Sequence, residues 1–69
     1  ICSAPVTIAK AGLLNDKEAV CYQDDKRTLE REGVTFKDAP VVSAGNIITG
    51  SGPKAADDFA SAIINYLKK

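Results

Sequence analysis

The sequence predicts an α/β layered fold of which this chain forms one part, and three observations carry that reading. Helical and strand-like segments alternate along all 69 residues. The final segment repeats Ala56, Phe59, Ala60, Ile63 and Leu67 at helical spacing, an apolar stripe that needs a sheet to cover. Against these stand only about three or four short strands, the low end of a sheet's usual size, too little to build a parallel sheet with both faces covered.

The first helix follows Cys2-Ser3-Ala4-Pro5. Proline is tolerated in a first helical turn, where its missing N–H has no intrahelical partner to lose. Val6, Ile8, Ala9 and Leu13 supply one apolar face, and Gly12 ends the helix as a left-handed cap. Asn15-Asp16-Lys17 is a polar turn into a short strand over Glu18-Ala19-Val20-Cys21-Tyr22. Asp24 or Asp25 caps a second, mostly polar helix that runs through Leu29 and Arg31 to a stop at Gly33 and reads as a solvated surface element. Val34-Thr35-Phe36 alternates as a strand does. Pro40-Val41-Val42-Ser43 and Asn46-Ile47-Ile48-Thr49 flank the turn pair Ala44-Gly45, which predicts a hairpin. Gly50-Ser51-Gly52-Pro53 breaks the chain before the last helix, and Lys68 and Lys69 fall where the negative end of its dipole favours cations.

Composition narrows the function classes. Nine basic and nine acidic side chains cancel, leaving no field to draw in nucleic acid or an anionic membrane surface. No apolar run reaches spanning length, and the start lacks the basic and apolar regions of a secretory signal, so the expected setting is the cytoplasm. Cys2 and Cys21 read as free thiols in a reducing compartment. With no histidine and only two cysteines, no ligand cluster of zinc spacing is present, and no metal site is expected. A chain this short buries only about 60% of the surface it exposes when unfolded, which makes it marginal as an independent domain.

The chemistry centres on Cys2. A thiol at a helix mouth sits where unpaired N–H groups and the dipole favour the thiolate, the nucleophilic form. The alternative is that it packs as a small hydrophobe, as free cysteines often do.

Cys2-Ser3-Ala4-Pro5, Ala11-Gly12-Leu13-Leu14, Ala19-Val20-Cys21-Tyr22, Gly45-Asn46-Ile47-Ile48-Thr49, Gly52-Pro53 and Asp58-Phe59-Ala60 follow one another in an order and spacing that resembles the C-terminal half of the ThiJ/PfpI superfamily. That group includes deglycase-like and glyoxalase III-like members. The resemblance covers essentially the whole chain. It implies a flavodoxin-like three-layer α/β/α sandwich, commonly dimeric, of which residues 1–69 are the C-terminal half beginning at the nucleophile elbow, with Cys2 as the reactive residue. It also implies that a carboxylic acid from the N-terminal half of the same protein lies against this thiol. The expectation is therefore that the chain is one product of a backbone cut before Ile1, or a chosen fragment, with the other half as its partner.

Departures from the family pattern discriminate among its activities. The peptidase-like branch resembles Cys-His-Gly-Pro at the elbow, whereas Ser3 follows the cysteine here, which disfavours a Cys-His mechanism. The resemblance places the Ser3 N–H in an oxyanion-stabilising position and Cys21, Gly52 and Pro53 near the pocket. Cys21 has three open roles: acid/base, resolving thiol for an oxidised Cys2, or packing in a strand. Ser51 and Lys54 stand where the family often has arginine and glycine, so contacts of that arginine do not carry over. The implied activity is thiolate addition to an α-oxoaldehyde or its adduct, with no cofactor. The competing class is a redox-sensing, stress-responsive chaperone. A thiamine-related role finds no matching residues.

Overall fold

The structure, a computed structural model, describes residues 1–68, so the expectation for Lys69 lies outside the described residues. Three α-helices, α1 (Ala4–Lys10), α2 (Lys26–Arg31) and α3 (Ala56–Leu67), alternate with four short strands. These are β1 (Glu18–Ala19), β2 (Thr35–Phe36), β3 (Val41–Ala44) and β4 (Ile47–Gly50). The strands form two ladders, β1 parallel to β2 and β3 antiparallel to β4. The predicted mixture of helix and strand is borne out as a partial α/β unit.

The end of α1 is fixed by a paired set of backbone bonds. Gly12, at φ +81°, donates to the Ala9 carbonyl at 2.9 Å and Leu13 donates to Ile8 at 3.3 Å, which together satisfy the last carbonyls of the helix. Gly12 thus stops the helix as expected. The turn also reverses the burial expected of Leu13. Leu13 is 61% exposed and Leu14 is fully buried, because the left-handed residue takes the chain off the helical period that would have put Leu13 inward.

Beyond α1 the strand is shorter than predicted. Only Glu18 and Ala19 join the ladder, in register with Thr35 and Phe36. Val20 and Cys21 stay buried but leave it, and a 3₁₀ turn over Gln23–Asp25 leads into α2. Nor is α2 simply a solvated element. Leu29 is fully buried in a core with Ala9, Leu14, Ala19, Cys21 and Val34, so a single apolar residue anchors an otherwise polar helix.

The hairpin is present with its turn moved by one position. Ala44 pairs with Ile47, which makes Gly45 and Asn46 the loop. Gly45 has φ +64° and Asn46 is not left-handed, the pattern of a turn with glycine first that matches the twist of its strands. The hairpin is tied to the segment just after β1 by Thr49, the one buried polar side chain among the described residues. Its hydroxyl accepts the Val20 N–H at 3.0 Å and faces the Val42 carbonyl at 3.5 Å.

The stripe on α3 is only partly covered. Phe59 is half-buried against Gly50, but Ile63, Ile64, Tyr66 and Leu67 are exposed and no α3 residue is fully buried. α3 packs on β3 and β4, strands of four residues each against its own twelve. No described helix is long and apolar enough to cross a membrane.

Candidate functional site: the cysteine elbow

Cys2 has φ +58°, one of two left-handed residues other than glycine among those described. That conformation brings Cβ against the following carbonyl and costs an L-residue roughly 1–2 kcal/mol, so it survives only where neighbouring bonds impose it. Here they do. The Cys2 N–H donates to the Gly50 carbonyl at the end of β4 at 3.2 Å, and the Cys2 carbonyl accepts the Tyr22 N–H at 2.8 Å. The elbow is held between the hairpin and the segment following β1, and Cys2 is half-buried.

Ser3 is the N-cap of α1 but makes no side-chain cap. Its hydroxyl donates instead to Oδ2 of Asp25 at 2.5 Å, twenty-two positions along the chain. Among the first donors of α1, Ala4 N–H reaches Ile1, Pro5 has no N–H, and Val6 N–H reaches Ser3. The Ser3 N–H, which precedes any intrahelical acceptor, is the donor left over beside Cys2. Asp25 was expected, with Asp24, as a helix cap. It does occupy the N-cap of α2, yet its carboxylate makes no cap there and accepts from Ser3.

Cys21 lies just outside β1, 1% exposed, with its thiol directed to the Tyr22 carbonyl at 3.3 Å. Its pKa is raised, first by burial and then by the nearby charge of Asp25. Cys21, Gly52 and Pro53 line one open groove of about 640 Å³ together with Tyr22, Phe36 and Lys54, while Cys2 and Ser3 lie outside its lining. The five predicted site residues therefore fall into two neighbouring groups, joined through the Tyr22–Cys2 backbone bond. Gly52 is fully extended and begins the 3₁₀ turn Pro53–Ala55 by accepting the Ala55 N–H at 2.9 Å. Sequence reasoning missed Asp25 as the partner of Ser3, and also Thr49 and Gly50; contacts across 22 or more positions leave no local pattern.

A partial α/β unit with a left-handed cysteine at the mouth of a helix, its N–H bonded to the end of β4, carries the turn-and-helix part of a nucleophile elbow. Residues 1–66 match the model of the DJ-1/PfpI family, and the chain belongs to that family. Protein DJ-1alpha of Drosophila melanogaster is 39% identical over 97% of this chain and 31% of its own length. YraA of Bacillus subtilis, whose name proposes a cysteine protease, is 32% identical over 99% of this chain and 40% of its own. The crystal structure of a ThiJ/PfpI domain protein from Brachyspira murdochii superposes with a TM-score of 0.93 at 30% identity, covering 97% of this chain and 39% of that one. The chain thus spans about a third of the length of the curated relatives it matches.

Proposed function

We propose that Cys2 is the nucleophile of a cofactor-independent glyoxalase- or deglycase-like reaction on α-oxoaldehydes or their adducts. The observation that carries the proposal is the left-handed Cys2 beside the uncommitted N–H of Ser3. The thiolate adds to the aldehyde carbon and the carbonyl oxygen becomes the hydroxyl of a hemithioacetal, with the Ser3 N–H as donor to the developing oxyanion. A carboxylate moves the proton on that carbon to the neighbouring carbonyl carbon, leaving a thioester of a 2-hydroxy acid. Water cleaves the thioester and returns the thiol. The carboxylate belongs, on this reading, to the N-terminal half of a domain whose C-terminal half begins at the Cys2 elbow, the whole acting as a homodimer in the cytoplasm. A Cys-His peptidase mechanism is disfavoured because Ser3 occupies the adjacent position.

The test is lactate formation from methylglyoxal by the full-length protein and by its Cys2→Ala variant. Turnover lost in the variant is the expected result, and turnover retained there eliminates the assignment. A second reading, redox sensing, is favoured by the contrast between half-buried Cys2 and fully buried Cys21, which directs peroxide to Cys2. Mass spectrometry showing Cys2 sulfinate in a protein without turnover would select it.

A further inference from the structure

We infer that Asp25 is a positioning residue for Cys2, acting through Ser3, a role that rests on the reading of Cys2 as the nucleophile. Three hydrogen bonds close a ring. The Ser3 hydroxyl donates to the Asp25 carboxylate at 2.5 Å, the Asp25 N–H to the Tyr22 carbonyl at 2.9 Å, and the Tyr22 N–H to the Cys2 carbonyl at 2.8 Å. The peptide bond between Cys2 and Ser3 completes the circuit. This ring encloses the peptide unit that carries the Ser3 N–H and joins it to the thiol-bearing Cys2.

Two features set the arrangement apart from an incidental surface contact. Asp25 ends the 3₁₀ turn that runs into α2, where the Lys26 N–H already reaches the Gln23 carbonyl, and its carboxylate makes no cap there but accepts from Ser3. The residue held adjoins the left-handed Cys2, where the backbone stays in place only if several contacts agree on it. The Gly50 carbonyl fixes the N-terminal side of the elbow, and the ring fixes the C-terminal side. Without the carboxylate, Ser3 is free to turn, and the Cys2–Ser3 peptide turns with it.

The experiment compares the full-length protein with Ser3→Ala, Ser3→Thr, Asp25→Ala, Asp25→Asn and the double Ser3→Ala/Asp25→Ala variant. It reads the rate of Cys2 alkylation by iodoacetamide and the turnover of methylglyoxal. Ser3→Ala and Asp25→Ala are each expected to slow both by about tenfold, since small misplacements of a reacting group carry losses of that order. The double variant is expected to be no slower than either single one, because both break the same ring. Ser3→Thr and Asp25→Asn, which keep a hydroxyl donor and an oxygen acceptor, are expected to stay within about twofold of wild type. Additive losses overturn the proposal, as do wild-type rates in Asp25→Ala. Asp25→Asn behaving like Asp25→Ala also overturns it, by making the effect one of charge. A wild-type protein with no turnover but this alkylation pattern overturns the glyoxalase reading alone and supports the role of Asp25.

Discussion

The backbone N–H of Tyr22 donates to the carbonyl of Cys2 across 2.8 Å, so the elbow and the segment carrying Cys21 are neighbours although nineteen positions separate the two cysteines. The bond joins a half-buried thiol to a buried one. Their environments differ enough to separate them chemically.

Alkylation at neutral pH should mark Cys2 and spare Cys21. Burial excludes reagent from Cys21 and holds it in the neutral form. Peptide mass mapping after brief iodoacetamide treatment should show at least about a tenfold preference for Cys2.

Cys21 also makes stability depend on pH in the alkaline range. In the unfolded chain a thiol ionises near its ordinary value of about 8.5, while the folded value is higher. Below the unfolded value both states hold the proton and the contribution is constant. As pH rises from there through the folded value, the unfolded state loses its proton first and the folded state loses stability. Urea denaturation at a series of alkaline pH values should show this fall, and Cys21→Ser should remove that component. Asp25→Asn should lower the Cys21 value, because the second cause of its rise is gone.

Thr49 supplies the acceptor for the buried Val20 N–H. Thr49→Val leaves the buried Val20 N–H without an acceptor and should destabilise by about 1–3 kcal/mol, whereas Thr49→Ser keeps the hydroxyl and should lose less. Chemical denaturation compares the two.

Gly50 leaves room for its neighbours. A β-carbon there would meet Ile1 Cγ1 and Phe59 Cδ1 at 3.0 Å each, so Gly50→Ala should cost about 1–3 kcal/mol in the same assay. It should also slow Cys2 alkylation, because the Gly50 carbonyl anchors the Cys2 N–H at 3.2 Å.

Leu29→Ala tests the anchoring of α2. The side chain is fully buried, and its truncation should destabilise by about 2–5 kcal/mol, far more than a solvated helix would show.

The sequence by itself determined what rests on nearest neighbours and short periods. The mixed α/β character, the stop at Gly12, the hairpin to within one position of its turn and the family of the chain were all legible, because helix caps and turns depend on residues within a few positions of one another. Cys2 could be singled out for the same local reason. Only the tertiary structure decided that Leu14 rather than Leu13 turns inward, that Leu29 reaches the core, and that most of the apolar stripe of α3 stays exposed. It alone set Asp25 against Ser3 instead of its own helix. That bond spans twenty-two positions, and a hydrogen bond made by folding leaves its partners looking in sequence like any other serine and aspartate.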